Sequence, residues 1–527
     1  MGKGTQNDLE IHADIEGFNA ARSYVETLLE SSSVSQSGVR ETMLVFEAVF
    51  NTMLERGVEQ STTVTVSTKK GLAGVSLQIG YEGERFSLPE ENDSTSSGST
   101  VLRAYAEKVS YGYSAGYNTI LVSVRKDPKG NIILCGSGIL IGIVVYLVLA
   151  MFLDVDEQHA LLNEYIFPFE QIYGNAMLMV GAPVTFFSLL KNASNAFIVS
   201  KRNSDARRLR MISLITSAFA VLLALALSYS LMSVLIGWQG YDAEFAGSYG
   251  ERSFSDIVTS MVPTSIFEPF EALSPIPLII VALLVTYALV SAGKDYEVLG
   301  RAIDVCYGLF SRMLSAVMFL LPVACCLAAL DVMLEGGHEA LLRTLLLIML
   351  MVVSSVFLFA SYAARLKVRG VKVIPFAKKL LPLVRENFAI GSVINAVPYN
   401  IRYCVRNYGL DRERVSRTLP FLAQINLDGN CFLLMFVAVF YIFATGTEVP
   451  PVSIVVISAL VLFLSFGAPN QPGSILIGSL IIVTYLKSYD VVCMAIYLEF
   501  FLGGLQNMIN VISDIVTVSE EEARLAR

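Results

Sequence analysis

The chain has 527 residues, of which 54% are hydrophobic and only 16% are charged, and its formal net charge is −8 at pH 7. Soluble globular proteins carry about 25% charged residues, so this composition excludes an ordinary soluble enzyme and excludes disorder over most of the chain. The net negative charge argues against nucleic acid as a partner, because nucleic-acid binding needs a basic face. Most cysteines lie in apolar runs, which is typical of buried side chains rather than of a disulfide framework.

The first part of the chain, residues 1–130, has the composition of a soluble domain. It contains no apolar run near the roughly 20 residues that a membrane-spanning helix needs, and no signal peptide is evident. The hydrophobic spacing predicts two helices, of which the first is capped by Gly17, then two strands. A third helix through Leu102 and Val109 and a strand at 119–124 follow. We therefore expect an N-terminal soluble α/β domain.

From Ile132 onward the chain becomes strongly apolar, after a polar segment that contains Pro and Gly. Several of the apolar runs exceed the length of a perpendicular spanning helix, which favours tilted helices or re-entrant hairpins. We predict a helical, multi-pass membrane domain over residues 131–527. Its apolar segments are 132–153, 173–199, 211–235, 275–292, 308–333, 341–363, 417–445, 453–485 and 489–518.

The loops between these segments differ in charge. The loop between the second and third segments and the loop after the sixth are rich in Lys and Arg, whereas residues 237–273 are acidic apart from Arg252. By the positive-inside rule the basic loops face the cytoplasm. We therefore predict a multi-pass protein of the cytoplasmic (inner) membrane, with the N-terminal domain in the cytoplasm.

Three apolar segments contain polar residues, which are costly in a bilayer and mark functional positions. They are Thr216 and Ser217 in the third segment, Asn426 and Asp428 in the seventh, and the stretch 506–514 in the last. Hydroxyl groups that bond to their own helix, and simple interhelical contacts, are the alternatives. The three stretches together favour a cation site, with local unwinding of the seventh segment.

Two further segments are interrupted midway by Gly and Pro, at residues 391–398 and 467–474. Each interruption has apolar flanks of about half the length of a membrane span. This pattern predicts helical hairpins that enter and leave the membrane on the same side, and such a pair points to a transporter binding site. An ordinary proline kink is the alternative.

Residues 132–518 resemble the dicarboxylate/amino acid:cation symporter family, the glutamate-transporter-like carriers. The stretch 426–430, Asn-Leu-Asp-Gly-Asn, resembles the family motif Asn-Met-Asp-Gly-Thr, and 510–514, Asn-Val-Ile-Ser-Asp, resembles Asn-Val-x-Gly-Asp. The stretch 216–220 resembles the Thr-Ser cation site of the third helix. The stretch 261–267 resembles the Pro-Thr-Asn-x-Phe start of the fourth segment.

The resemblance implies a carrier and no enzyme. It implies eight transmembrane helices, two re-entrant hairpins, a homotrimer in the lipid bilayer, and a transport domain that slides like an elevator. The cation it implies is Na+, and H+ is the alternative because an aspartate could titrate instead. Matched one by one to the family's motifs, the cation-binding positions that the resemblance implies are Thr216, Ser217, Asn426, Asp428, Asn510 and Asp514. The two Asn–Asp pairs among them would hold the metal ion.

This chain departs from the family pattern at positions that would bind the solute. Where the acidic amino-acid carriers have an Asp for the substrate amine and an Arg for the side-chain carboxylate, this chain has Gly503 and Gln506. Bidentate pairing with a carboxylate is therefore lost. We expect a neutral polar solute, such as a neutral amino acid or related organic solute. The substrate-binding positions implied by the resemblance are Ser392, Asn430, Pro469, Gly473, Gly503, Gln506 and Asn507.

The N-terminal domain has a fainter resemblance. Residues 47–51 resemble the Glu-x-x-x-Asn helix of the ATP-binding fold of histidine kinases and anti-sigma-factor kinases, which implies Mg-ATP at Glu47 and Asn51. The next family box, Asp-x-Gly-x-Gly, is replaced at 81–85, and the glycine-rich lid is reduced to Gly112 and Gly116. Two functions stay open: a symporter with a fused regulatory domain, and a membrane solute sensor whose soluble domain acts on a cytoplasmic protein partner.

Overall fold

The computed structural model divides into two compact units, residues 1–131 and 132–527. Each is described by itself below. The residues that the structure describes are 9–31, 36–55, 58–59, 61–71, 74–83, 102, 109–114, 116–124, 128–235, 255, 259, 261–271, 274–291, 296–390, 392–444, 451–469, 472–485 and 492–525.

The N-terminal unit is an antiparallel sheet with two helices. The five strands follow the order β1-β2-β3-β5-β4, and each pairs with its neighbour in antiparallel register. Its elements are β1 (Leu9–His12), α1 (Ile15–Ser31), α2 (Gln36–Glu55), β2 (Thr63–Gly71), β3 (Gly74–Glu82), β4 (Val109–Ser114) and β5 (Tyr117–Val124).

The core of this unit lies between the sheet and the helices. Val66 pairs with Ile79 across β2 and β3, and both side chains are fully buried. On α2, Phe46 and Phe50 recur at helical spacing, are fully buried, and pack against Phe18 of α1. These contacts follow from the alternation in the strands and the period of the helices.

Three sequence predictions for this unit are wrong. The third helix does not reach Val109, because Val109 begins strand β4; residues 103–108 lie outside the described part of the chain. Strand β1 was not predicted. The first helix is capped by Asp14, whose Oδ1 accepts a hydrogen bond from the Gly17 backbone N–H at 2.7 Å, so Gly17 lies inside the helix.

The C-terminal unit is helical. Within the described residues, six helices are long and apolar enough to span a bilayer, or seven if one bent pair counts as a span. The helices are α3 (Pro128–Leu149, from residue 132), α4 (Val155–Leu161), α5 (Phe167–Arg202), α6 (Ser204–Leu235), α7 (Glu268–Glu271), α8 (Pro275–Ser291), α9 (Tyr296–Met318), α10 (Leu321–Val368), α11 (Val373–Ile390), α12 (Val393–Tyr403), α13 (Arg412–Ile425), α14 (Asp428–Ala444), α15 (Pro451–Gly467), α16 (Ser474–Tyr485) and α17 (Val492–Leu525).

The fifth and sixth predicted segments are divided differently in the structure. The chain bends by 51° between Met318 and Leu321, inside the predicted segment 308–333, and α10 then runs without a break to Val368. Pro322 lies in the first turn of α10, where a proline is well tolerated and the preceding backbone is steered out of the helix. The two glycines at 336–337 do not end the helix, because glycine costs only about 1 kcal/mol in a helix.

Two glycines allow close approach of α3 to α10. A Cβ atom on Gly138 would lie 2.3 Å from the Pro322 carbonyl oxygen, and one on Gly142 would lie 2.3 Å from the Cys326 carbonyl oxygen. Glycines four residues apart form the small-residue face by which membrane helices pack backbone to backbone. The contact fixes α3 beside the bend that begins α10.

Helices α11 and α12 flank the first predicted interruption and pack against each other. Asn387 and Asn400 exchange side-chain hydrogen bonds of 2.8 and 3.1 Å, and the Tyr403 hydroxyl donates to the Lys379 carbonyl oxygen. Residues at equal distance from the tip are therefore partners, so the two arms run antiparallel. Helices α15 and α16 flank the second predicted interruption, and we call this pair the second hairpin.

Candidate functional site

The seventh predicted segment is interrupted at residues 426–427, where the sequence predicts unwinding. Helix α13 ends before Asn426, whose φ of −104° and ψ of 79° are not helical, and α14 begins at Asp428. A carboxylate at the start of a helix is stabilised by the free backbone N–H groups there. The interruption thus directs two oxygen-bearing side chains into the protein interior, where both are fully buried.

The Asp428 carboxylate accepts hydrogen bonds from four hydroxyl groups. Its Oδ1 accepts from Thr216 at 3.1 Å and Ser217 at 2.9 Å, both on α6. Its Oδ2 accepts from Tyr362 of α10 at 3.0 Å and from Ser513 of α17 at 2.6 Å. An ionised carboxylate can accept about four hydrogen bonds, and hydroxyl groups from three helices surround this one.

Asn426 links this carboxylate to the end of α17. Its Nδ2 donates to Ser513 Oγ and to Asp514 Oδ1, each at 2.9 Å, and its Oδ1 lies 3.2 Å from Thr216 Oγ1. Asp514 is 3% exposed. Among the described residues, neither aspartate forms a salt bridge with a Lys or Arg side chain.

Asn510 completes the cluster from the neighbouring turn of α17. Its Oδ1 accepts from the Gly429 backbone N–H at 2.7 Å. A Cβ atom on Gly429 would lie 2.5 Å from the Gln506 carbonyl oxygen, so only glycine allows α14 to approach α17 this closely. Five of the six predicted cation positions therefore share one side-chain network, and Asn510 adjoins it through Gly429, the residue after Asp428. We call these residues, with Tyr362 and Ser513, the aspartate cluster.

Two members of the aspartate cluster were not among the predicted cation positions, Tyr362 and Ser513. Ser513 lies on the polar stripe of the last segment, so periodicity alone could have included it. Tyr362 lies in an apolar helix, 66 positions from its partner Asp428. No local pattern could have indicated it.

The oxygen atoms of the aspartate cluster are of the kinds that bind a hard monovalent cation. They are hydroxyl, amide and carboxylate oxygens, gathered beside non-helical backbone, and two carboxylates have no cationic side chain bonded to them among the described residues. The part of the chain that the structure describes contains no group of three His, Cys, Asp or Glu side chains arranged for a metal ion. Na+, which the resemblance implies, stays a prediction.

A second network lies beside the aspartate cluster, and we call it the amide cluster. Gln506 Nε2 donates to Asn430 Oδ1 at 2.6 Å, and Ser474 Oγ of the second hairpin donates to Gln506 Oε1 at 2.9 Å. Asn510 Nδ2 also donates to Asn430 Oδ1, at 2.8 Å, which joins the two clusters. All four side chains are buried and uncharged. Ser474 was not among the predicted binding positions.

The other predicted substrate positions have different surroundings. Gly473 and Gly503 both contact Glu499, through a hydrogen bond and by close approach respectively. Asn507 donates to the Gly503 carbonyl oxygen of its own helix, at 3.0 Å. Ser392 precedes α12 and is buried, and Pro469 is also buried. The amide cluster therefore includes Asn430 and Gln506 from the predicted set.

In the N-terminal unit, the two predicted nucleotide residues lie on α2. Glu47 forms a salt bridge of 3.5 Å with Arg22 of α1, and Asn51 is exposed. Gly112 lies within β4, and Gly116, with φ of +84°, lies in the turn to β5, so both glycines serve a strand hairpin. Glu84 and Arg85 lie outside the described residues.

Comparison with known proteins agrees with this architecture. Residues 132–519 match the sodium:dicarboxylate symporter family, which is more than half of the chain. The chain belongs to this family. It is therefore a multi-pass membrane protein of a transporter family.

Two kinds of relative are similar to the symporter region. A C4-dicarboxylate transport protein of Deinococcus deserti is 23% identical over 236 residues, which are 44% of this chain and 52% of that protein. The L-cystine uptake protein TcyP of Bacillus thuringiensis is 21% identical over 337 residues, 60% of this chain and 72% of that protein, and so is its counterpart in Bacillus anthracis. The chain thus spans about half the length of the Deinococcus relative.

Proposed function

We propose that this symporter couples the uptake of a small polar solute to a cation gradient, and that the cation is Na+. The observation that carries the proposal is the aspartate cluster. Two buried carboxylates, two hydroxyl groups and two amide oxygens from three separate stretches of chain converge there. A buried carboxylate is costly unless it is compensated, and a bound cation would compensate it.

The solute that we propose has no net charge, for example a neutral amino acid. The amide cluster supports this choice, because its side chains are amides and a hydroxyl and offer donors and acceptors without charge. The relatives are named for solutes of different classes, a C4 dicarboxylate and L-cystine, of which cystine carries equal numbers of amines and carboxylates. The C4 dicarboxylate would need a cationic partner, and Gln506 stands where the acidic amino-acid carriers have arginine.

The remaining parts of the proposal follow from family membership. We propose eight transmembrane helices with two re-entrant hairpins, an elevator movement, a homotrimer, and a cytoplasmic-membrane location with the N-terminal unit in the cytoplasm. That unit precedes the family match, which begins at residue 132. This position favours a fused regulatory domain, whose Mg-ATP binding we expect to be weak or absent. It is also the observation that favours a solute sensor as the second candidate function.

A thermal-shift screen tests the choice of solute and cation. A ligand that binds the folded state stabilises it, by about 2.7 kcal/mol at a concentration one hundred times Kd. We expect Na+ to raise the unfolding temperature relative to choline, and a neutral amino acid or cystine to raise it further only in Na+. Asp428→Asn should remove both effects. Stabilisation by C4 dicarboxylates alone would contradict the proposed solute.

A further inference from the structure

Glu499 is a buried acidic residue that neither cluster uses. It lies on α17 and is 7% exposed. Its Oε1 accepts from the Gly473 backbone N–H at 2.7 Å, and its Oε2 accepts from the Leu476 backbone N–H at 3.1 Å. The first backbone N–H groups of a helix have no partner inside it. The Glu499 carboxyl group thus serves as the cap of α16, although it is distant in sequence.

The same short stretch of the second hairpin is held at a neighbouring point. Ser474 bonds to Gln506, which lies seven residues after Glu499, so the two side chains project from one face of α17, about two turns apart. Gly473 has φ of +101°, a left-handed conformation that favours glycine. Gly473 is also the residue whose backbone N–H donates a hydrogen bond to Glu499. Two side chains of α17 therefore hold residues 473–476 in place.

Gly503 leaves the space that the Glu499 carboxyl group occupies. A Cβ atom on Gly503 would lie 2.9 Å from Glu499 Oε1 and 3.4 Å from its carboxyl carbon. A side chain at position 503 would therefore require the Glu499 carboxyl group to shift. Glycine at 503 leaves room for that group in the position from which it contacts the hairpin.

We propose that Glu499 is a latch that closes the second hairpin over the solute site. It acts as a positioning residue, through the hairpin, and does not itself bind the solute. The inference rests on the proposed function, because it takes the amide cluster as the solute site. Solute can pass the hairpin only when the bonds to Glu499 and Gln506 separate. While the latch is closed, the carboxylate also occupies the N-terminus of α16, which would otherwise attract an anionic group of a solute.

Hydrogen–deuterium exchange of the full-length protein in detergent tests the latch without any need for transport. Glu499→Gln removes the charge and keeps the size. We expect the amides of residues 473–477 to exchange roughly tenfold faster or more, because hydrogen bonds to charged groups are the stronger ones. The matched control is Glu413→Gln, at a side chain that is 78% exposed and pairs with Arg417, and it should leave these amides unchanged.

A second variant changes the position of the same carboxyl group and leaves its charge unchanged. Gly503→Ala keeps the charge but should displace Glu499, so the amides of 473–477 should again exchange faster. Faster exchange confined to these residues, with α14 and the rest of α17 as in the native protein, distinguishes a latch from a general structural role. Unchanged exchange in either folded variant contradicts the latch. Faster exchange in a protein that shows no uptake would support the latch while contradicting the proposed function.

Discussion

Asp428 is the residue at which three helices meet through hydroxyl groups. Each of its two oxygens accepts two hydrogen bonds, from side chains of α6, α10 and α17. The carboxylate is fully buried and has no Lys or Arg bonded to it within the described residues. Its hydrogen bonds therefore stabilise the charge. If Asp428 is a ligand of the proposed cation, removing one of these bonds should be most costly in the absence of that cation.

Tyr362→Phe tests this balance, because it removes the donor that lies 3.0 Å from Asp428 Oδ2. We expect a loss of about 1.5–3 kcal/mol in the free energy of unfolding without Na+, the usual worth of a hydrogen bond to a charged group. Added Na+ should reduce the difference, because the cation replaces the lost partner. The measurement is the unfolding temperature in Na+ and in choline. Tyr287→Phe, at a side chain 75% exposed, is the control. A Tyr362→Phe protein as stable as the native one in choline would contradict the argument.

The last turns of α17 join three other helices by ion pairs. Three consecutive glutamates take part: Glu520 pairs with Arg365 of α10 through two bonds of 3.1 and 2.8 Å, and Glu521 pairs with Arg208 of α6 at 3.1 Å. Glu522 pairs with Arg414 of α13. All four helices also contribute side chains or flanking backbone to the aspartate cluster. The ion pairs thus join α17 to the same three helices that meet it at the aspartate cluster.

Glu520→Gln tests whether this arrangement matters for stability. The Glu520 side chain is 9% exposed and Arg365 is 23% exposed, so the pair is largely desolvated. Its rupture leaves a charge uncompensated, and we expect a loss of about 1–3 kcal/mol, seen as a lower unfolding temperature. Glu413→Gln breaks a pair that is 78% and 70% exposed and should change stability by less than about 1 kcal/mol. Equal effects of the two substitutions would contradict this prediction.

The elements that could be predicted from the sequence are those whose signal lies in neighbouring residues. The interruption before Asp428 and the polar stripe of α17 were predictable, because polar residues inside an apolar run are a local signal. Strands β1 and β4 were missed. Both are edge strands. Strand β1 pairs with β2 across more than 50 residues, so long-range pairing rather than local pattern forms it. Strand β4 forms a hairpin with β5, and its residues fall where the spacing favoured the end of a helix.

The site residues and Glu499 show the same limit of prediction from local sequence pattern. Gln506 and Asn430 could be proposed from their places in motifs, whereas Glu499 could not, because its partners are backbone N–H groups of another helix. The continuous course of α10 was also missed, since a pair of glycines in the sequence resembles a loop. Side chains whose role depends on where a distant helix begins leave no trace in local spacing.

The whole molecule combines a symporter region with an unlike N-terminal unit. The symporter region carries the family match and both clusters, and the N-terminal unit has its own sheet and core. We propose that the first part performs coupled uptake and that the second regulates it. If the molecule were instead a sensor, it would bind solute and Na+ without moving the solute across a membrane. Transport itself therefore separates the two functions.

Uptake by the purified full-length protein in liposomes is the most direct test of the central claim. A mixture of radiolabelled neutral amino acids is supplied outside, with an inward Na+ gradient, an inward proton gradient, or neither. We predict uptake driven by the Na+ gradient, abolished by Asp514→Ala and preserved in Asp156→Ala, which alters an exposed aspartate of α4. Uptake that is indifferent to both gradients, or that survives Asp514→Ala, would contradict the account.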